Sequence, residues 1–293
     1  MICSFIFLLP MLTLITQGGG DDAKARLDGL FKSTKGTYAV AAWNLKSGDS
    51  ILINADEPFH AASTMKTPVM IEVYRQARAG RFGLDDSIDV RNDFRSIVDS
   101  SLYQLDFGDD SDDSVYRLVG KKETIRKLVH HMITVSSNLA TNLLMDLVRP
   151  AQVTSTMREL GAQNIQVLRG VEDIKAFRQG LSNTTTARDL MVIYRSLAQK
   201  AVVDSAASEE MVNILLDQKF NNIIPAKLPQ GVRVAHKTGS ITGVEHDSGI
   251  VYAPDGVMYV VVLLSKDLPD AETGRATLAE ASRIIFEAFT TQR

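Results

Sequence analysis

Cysteine is nearly absent from this sequence: the one cysteine, Cys3, stands at the start of a chain of 293 residues. The rest of the chain therefore cannot form disulfides, use a thiolate nucleophile or build a cysteine-ligated zinc site. An excess of one charge is lacking too, since 32 basic residues face 35 acidic ones and the net charge is −3. This balance excludes a basic nucleic-acid surface and favours a small-molecule or peptide-like substrate.

Charged residues are also missing from the first twenty positions, where residues 5–15 form a strongly apolar run. The run is short for a transmembrane helix and is typical of the apolar region of a secretory signal peptide, with cleavage expected at residues 16–20. No lysine or arginine precedes it, so a mis-assigned start or a membrane-tethered N-terminus is the alternative. The sequence predicts a signal peptide over residues 1–20, a periplasmic or secreted protein, and no stable membrane association after processing.

Strand patterns lie at both ends of the remaining chain, and helical patterns lie in its middle. Strands are predicted at residues 37–44, 50–54, 233–238, 247–253 and 257–264, and helices at 22–31, 68–79, 124–133, 139–148, 186–198 and 274–289. We expect an α/β (α+β) fold, in which both chain ends build one antiparallel sheet flanked by the terminal helices. A single domain over residues 21–293 is predicted, with a sheet lobe (21–60 and 225–293) and a helical lobe (61–224).

The first motif whose residue types suit catalysis is Ser63-Thr64-Met65-Lys66, at the start of the first central helix. Residues three apart share a helix face, so the Lys66 amine is expected beside the Ser63 hydroxyl. A lysine can activate a serine if burial or a second cation lowers the lysine pKa. The helix N-terminus also offers the Ser63 N–H to a developing oxyanion. The alternative is a capping serine and a surface lysine, and Pro68 is unexpected inside a helix.

Two further polar groups occur later in the chain. In Ser136-Ser137-Asn138, Ser136 can pass a proton to a leaving nitrogen, and Asn138 can bind a substrate amide. Lys237-Thr238-Gly239 ends a strand pattern, and its lysine and hydroxyl suit a carboxylate. Its glycine permits close backbone approach, and the N–H of the next residue, Ser240, can complete an oxyanion hole. Each group alone is also compatible with an ordinary turn or strand end.

Taken in order, Ser-x-x-Lys, Ser-x-Asn and Lys-Thr-Gly form a set that is typical of class A β-lactamases and penicillin-binding proteins. The chain resembles the class A β-lactamase family of penicillin-recognising serine hydrolases from about residue 27 onward, and residues 59–66, 132–144 and 184–187 extend the likeness. The resemblance implies a β-lactamase/transpeptidase-like fold. It also implies a cofactor-free serine hydrolase that acts through an acyl-enzyme on β-lactams or related amides.

The resemblance implies roles for individual residues, and none of them is a metal ligand. The catalytic set is Ser63, which is acylated, Lys66, its base or proton relay, Ser136, which protonates the leaving nitrogen, and Glu172, the candidate for activating the deacylating water. The substrate-binding set is Asn138, Lys237, Thr238, Gly239 and Ser240.

The loop around Glu172 departs from the family pattern. Glu172 follows Arg169 by three residues instead of two, and Ala176 stands where the family has an asparagine. Asn183 stands where an aspartate usually pairs with the loop arginine. The family asparagine at the position of Ala176 helps to hold the deacylating water. The differences therefore leave the acylation residues in place and predict slow deacylation.

Two departures lie outside that loop. Ser137 replaces the aspartate in the middle of the second motif. Ser248 stands where many members have a carboxylate-binding arginine, for which Arg275 in the last helix is the candidate substitute.

Other chemistries have weaker support. The chain has no Gly-x-Ser-x-Gly motif for a histidine triad, and His60 need not meet Ser63. His246 either lines the site or bonds to backbone as a loop histidine, and His130-His131 lack metal-ligand spacing. A D-alanyl peptidase or esterase of the same fold, or a penicillin-binding sensor that stays acylated, remain the alternative functions.

Overall fold

Both ends of the chain contribute strands to one sheet in the computed structural model, which describes residues 19–291. Most of the predicted signal peptide, residues 1–18, lies outside the described residues. In chain order the strands are β1 (Thr37–Asn44), β2 (Ser50–Ile53), β3 (Phe59–His60), β4 (Ser87–Asp89), β5 (Phe94–Arg95), β6 (Leu102–Tyr103), β7 (Lys122–Thr124), β8 (Thr184–Thr185), β9 (Arg233–Ile241), β10 (Val244–Tyr252) and β11 (Met258–Lys266). The main sheet is five-stranded and antiparallel, in the order β2-β1-β11-β10-β9.

The helices occupy the middle of the chain and its two ends. They are α1 (Gly19–Lys32), α2 (Lys66–Arg78), α3 (Ile125–Thr134), α4 (Asn138–Val148), α5 (Pro150–Glu159), α6 (Ile174–Arg178), α7 (Ala187–Ala198), α8 (Ser205–Leu216) and α9 (Ala271–Thr290). The predicted fold class is confirmed, although β9 ends three residues later, at Ile241, and β10 begins three residues earlier, at Val244, than the sequence pattern indicated. Within residues 19–291, no helix has the length and apolar character to cross a bilayer.

The central strands of the sheet are buried on both faces. Along β1, Val40 packs with α1 and α9, whereas Ala39 and Ala41 belong to the core shared with the helical lobe. Successive side chains of a strand point to opposite faces, so a strand covered on both sides is apolar throughout. Each fully buried leucine or isoleucine in these layers contributes about 1.5–3 kcal/mol of hydrophobic stabilisation. The sheet is therefore a rigid support for its edge strand, β9.

Strand β9 forms one edge of the sheet and packs directly against the segment that holds Ser63. A Cβ atom added at Gly239 would lie 3.0 Å from the Ser63 backbone nitrogen and 3.1 Å from that of Thr64. Glycine therefore suits position 239, because a side chain there would press against the Ser63 segment and require it to shift by a few tenths of an ångström. This contact joins the first and third sequence motifs.

Candidate active site

Ser63 lies in a 3₁₀ turn, Ala62–Met65, and not in the α-helix itself. Helix α2 begins at Lys66, which corrects the prediction that Ser63 starts the helix. The later start explains Pro68: it lies in the first turn of α2, where backbone N–H groups have no helical partner. Ala62 has a left-handed φ of +44°, a conformation that non-glycine residues adopt when the surrounding structure enforces it. The turn therefore holds Ser63 in a fixed position.

The Lys66 amine is fully buried and points at the second motif. Its Nζ donates to the Ser136 carbonyl oxygen at 2.6 Å, to the Ser136 Oγ at 3.1 Å and to the Asn138 Oδ1 at 2.9 Å. Burial lowers the Lys66 pKa to about 7, against the opposing charges of Asp110 and Glu172. An amine with such a pKa exchanges its proton readily at neutral pH, as a general base must.

The Ser136 hydroxyl lies between two buried lysines. Its Oγ accepts hydrogen bonds from Lys66 at 3.1 Å and from Lys237 at 3.0 Å. Burial first, and then the Lys66 charge, hold the Lys237 pKa well below its usual range. Ser136 itself has a left-handed φ of +59°. This hydroxyl is therefore placed to relay a proton from one amine toward a group bound in the cleft.

The Asn138 side chain connects Lys66 to Glu172. Its Oδ1 faces the lysine, and its Nδ2 donates to Glu172 Oε1 at 2.8 Å. The amide orientation follows from its neighbours, since an ammonium requires an acceptor and a carboxylate requires a donor. The second carboxylate oxygen, Oε2, accepts from the Asp106 backbone N–H at 3.2 Å. Glu172 is thereby held at the edge of the same cleft as Ser63.

The extra residue between Arg169 and Glu172 is absorbed by the backbone. Asn142 on α4 clamps Val171 from both sides, since its Oδ1 accepts from the Val171 N–H at 2.7 Å and its Nδ2 donates to the Val171 carbonyl at 3.0 Å. Glu172 then adopts a left-handed φ of +61°. The sharp change of direction turns the Glu172 carboxylate itself toward Asn138.

Asn183 closes the loop without an ion pair. Its Oδ1 accepts from the Arg169 backbone N–H at 3.2 Å, and its Nδ2 donates to the Arg169 carbonyl at 3.0 Å. The Arg169 guanidinium instead donates to the Leu181 carbonyl at 2.8 Å. Ala176 is fully buried in α6 and brings a methyl group where an amide was expected. The loop is therefore anchored by Asn183, but position 176 has no side-chain amide that could bind a water.

The other side of the cleft carries the third motif and a pair of charges beyond it. Arg275 donates to Glu245 Oε1 at 2.8 Å, and the Ser240 Oγ donates to the same oxygen at 2.9 Å. A cavity of about 220 Å³ is lined there by Ser63, Ser136, Thr238, Gly239, Ser240 and Arg275, among others. Ser248 is buried, with its Oγ 3.3 Å from the Lys237 carbonyl oxygen. Arg275 therefore stands at this cavity, whereas Ser248 does not.

A second, more apolar cavity of about 300 Å³ extends from Ser63 toward α6. Ile174 and Phe177 on α6 and Ile241 at the end of β9 form its rim, with side chains 53%, 52% and 39% exposed. Ser63 and Ser240 line both cavities, so they lie where the two meet. The site offers a charged pocket on one side of the serine and an apolar one on the other.

The histidines near the site support the backbone. His246 Nδ1 lies 3.1 Å from the Ser265 backbone nitrogen and 2.8 Å from the Glu245 carbonyl oxygen, and its Nε2 lies 2.9 Å from the His60 carbonyl oxygen. Burial lowers the His246 pKa to about 4, so the ring is neutral at pH 7. His60 Nδ1 accepts from the Ala62 N–H at 3.0 Å. His246 thus bonds to backbone, although it stands in strand β10 instead of a loop.

The structure places every predicted site residue around this one cleft: Ser63, Lys66, Ser136, Asn138, Glu172, Lys237, Thr238, Gly239 and Ser240. Sequence reasoning did not assign Asn142, Glu245 or Asp110 to the site. Asn142 lies within the second recognised segment and Glu245 a few residues after the third motif. Their position close to these motifs was the sequence signal that could have identified them. Asp110 belongs to an acidic run, residues 109–113, whose composition is typical of a solvated loop, and no local pattern marks it as a site residue.

A serine on a rigid turn, a buried lysine of lowered pKa, a relay hydroxyl and an anchored carboxylate are the components of a serine acyl-transfer enzyme. The model of the β-lactamase enzyme family matches residues 22–289, and the chain belongs to that family. A β-lactamase of Streptomyces albus G is 26% identical over 92% of this chain and 86% of its own length.

Solved structures agree with this assignment. The crystal structure of a β-lactamase from Sphaerobacter thermophilus superimposes with a TM-score of 0.77, at 27% identity over 94% of this chain and 98% of that one. The structure of PBP-A superimposes with a TM-score of 0.79, at 25% identity over 92% of this chain and 96% of that one.

Proposed function

We propose that this protein hydrolyses β-lactams, or related amides, through an acyl-enzyme on Ser63. The observation that carries the proposal is the Ser136 hydroxyl held between the Lys66 and Lys237 amines beside the Ser63 turn. The neutral form of Lys66 takes the Ser63 proton while the serine oxygen attacks the amide carbonyl carbon. The C–N bond then breaks, the leaving nitrogen takes a proton from Ser136, and Lys66 returns a proton to Ser136.

The second half of the reaction releases the acid. A water attacks the ester carbonyl and Glu172 takes a proton from that water; the ester C–O bond then breaks as this proton passes on to the Ser63 oxygen, which restores the free enzyme. Backbone N–H groups of Ser63 and Ser240, which lie where the two cavities meet, stabilise the oxyanion in both halves. The negative charge of the oxyanion therefore develops next to backbone N–H groups that are already oriented toward it.

The two cavities define the substrate class. A carboxylate on the leaving side fits Thr238 and Arg275, which line one cavity, with the buried Lys237 amine directly behind Ser136. An apolar acyl side chain fits the cavity rimmed by Ile174 and Phe177. A small-molecule substrate with one anionic end and one apolar end matches both. Penicillins and acyl-D-alanyl peptides share that arrangement.

The direct test combines turnover with mass. The purified protein is mixed with penicillin G and with the chromogenic cephalosporin nitrocefin, and intact mass is followed over time. We expect one covalent β-lactam adduct per protein and measurable nitrocefin hydrolysis. Absence of both at millimolar concentrations overturns the proposal. An adduct that never turns over instead assigns the sensor function, which the methyl group of Ala176 favours because it cannot hold a water. Hydrolysis of D-alanyl peptides alone assigns the peptidase.

Substitution of Lys237 tests the anionic pocket. Binding of the substrate carboxylate favours the protonated form of Lys237, so a Lys237→Ala variant loses a charged hydrogen bond in the complex. We therefore expect kcat/KM for penicillin G to fall by about 1.5–3 kcal/mol, or on the order of 10- to 150-fold. Steady-state kinetics measure the change. A substrate analogue that lacks the carboxylate should lose much less. Equal values for wild type and variant with penicillin G would remove Lys237 from the pocket.

We also propose that the protein is exported and loses residues 1–20. The support is the uncharged, apolar composition of that segment. N-terminal sequencing of protein recovered from the periplasm or medium checks the cleavage, and an intact Met1 start there contradicts it.

A further inference from the structure

The N-terminus of α4 is capped by a carboxylate from a distant part of the chain. Asp110 Oδ2 accepts from the Asn138 backbone N–H at 2.8 Å and from the Leu139 N–H at 3.1 Å, and the Ser137 Oγ lies 3.5 Å away. The first N–H groups of a helix have no partner within it, and the helix dipole favours negative charge at this end. Asp110 satisfies two of these groups with one anionic oxygen.

The second motif supplies only part of this capping itself. Ser137 Oγ accepts from the Ala140 N–H at 3.3 Å, and the Ser137 carbonyl accepts from the Thr141 N–H at 3.2 Å. These contacts serve the third and fourth residues of α4 and leave the first two to Asp110. Ser137 is the position where the related enzymes usually carry aspartate. The missing carboxylate is therefore present in space, 27 positions earlier in the sequence.

The turn that Asp110 holds carries several hydrogen bonds of the candidate active site. Ser136 provides two acceptors to the Lys66 amine, and Asn138 provides a third acceptor as well as the donor to Glu172. Ser136 has a left-handed φ of +59°, which costs on the order of 1–3 kcal/mol and persists only where surrounding contacts enforce it. A fixed N-terminus of α4 is such an enforcing contact.

The charge of Asp110 also acts on Lys66. Asp110 Oδ1 is buried close to the Tyr116 hydroxyl, whose pKa is raised first by burial and then by the Asp110 charge. Among the neighbouring charges that oppose the effect of burial on the Lys66 pKa, Asp110 is the largest and Glu172 the next. The remaining neighbour on β9 is Lys237, whose charge interacts unfavourably with that of Lys66.

We propose that Asp110 is a positioning residue for catalysis, which replaces the carboxylate missing from the second motif by fixing the turn 136–138 and by keeping a negative charge near Lys66. The inference rests on the proposed function, since it concerns the same acylation step. Asp110 does not contact the substrate and acts through Ser136, Asn138 and Lys66.

The test uses an Asp110→Asn variant of the whole protein and the second-order rate of acylation by a fluorescent penicillin from pH 5 to 9. In the wild type, the rate rises with pH as Lys66 loses its proton near pH 7. Removal of the negative charge lowers the Lys66 pKa further, so the rising limb moves to lower pH. Loss of the charged capping bonds lowers the plateau by about tenfold.

A rescue variant and a control separate this role from general stability. Asp110→Asn combined with Ser137→Asp restores a carboxylate at the same helix end, and we expect most of the plateau rate and the wild-type limb to return. Asp112→Asn alters the same acidic segment, but Asp112 contacts His131 and Ser114 instead of α4, so its profile should equal the wild type.

The outcomes are decisive in each case. An Asp110→Asn profile whose limb does not move, or a double variant that remains slow or unfolded at 25 °C, overturns the inference. If the wild-type protein itself is not labelled by penicillin, the proposed function fails instead, and that result is obtained before any variant is made.

Discussion

A Ser63→Ala variant is expected to lose covalent labelling by penicillins completely and to lose turnover by on the order of 10⁴-fold or more, as removal of a catalytic serine does elsewhere. The reason is chemical: no acyl-enzyme forms without the Ser63 oxygen. The side chain is only half-buried, so its removal leaves the core packing intact. Intact mass after penicillin exposure and gel fluorescence measure the labelling.

The matched control for this variant is Ser155→Ala, which removes an exposed hydroxyl on α5. It should be labelled at the wild-type rate, and both variants should melt at the wild-type temperature. Labelling that persists in Ser63→Ala would assign the nucleophile to another residue, and Ser136 is the first to examine because its hydroxyl lies in the same cleft.

A Glu172→Gln variant is expected to accumulate the acyl-enzyme. Glutamine keeps an acceptor oxygen for the Asn138 Nδ2 and loses only the longer hydrogen bond from the Asp106 N–H, but it cannot take a proton from water. Loss of a general base slows its step by about 10²- to 10⁴-fold. Labelling should therefore be as fast as in the wild type, while release of the penicilloyl group slows by that factor.

The wild type should already show part of this behaviour. Because Ala176 offers no amide to the deacylating water, stopped-flow traces with nitrocefin should show a burst close to one equivalent, followed by slow turnover. Two results contradict the assignment: burst-free rapid hydrolysis by the wild type, or normal release by Glu172→Gln. Either one means that another group activates the water.

Regular elements and ordered motifs were predictable because their signals are local. The strands of β1 and β11 are continuous apolar runs, and Asp255-Gly256 marks the hairpin between β10 and β11. The Lys66 amine was expected beside Ser63 from helical spacing alone, but its hydrogen bonds reach Ser136, 70 positions away. The contact between Lys66 and Ser136 could be predicted only from the ordered set of three motifs, because spacing within one helix says nothing about a residue so far away.

Other features have no local signature. Asp110 resembles its acidic neighbours in sequence, and its role arises from the position of α4 in space. The left-handed backbone at Glu172 is equally unmarked, because no glycine or asparagine indicates it. Long-range hydrogen bonds and enforced dihedral angles depend on tertiary packing, so a single sequence does not determine them by pattern.

The contact between Gly239 and the Ser63 turn limits how this enzyme can evolve. Since a Cβ at position 239 would lie 3.0 Å from the Ser63 nitrogen, a replacement there requires the nucleophile segment to shift by a few tenths of an ångström. The half-exposed rim residues Ile174, Phe177 and Ile241 carry no such constraint. Under antibiotic selection, adaptive substitutions should therefore collect at this rim, while position 239 remains fixed.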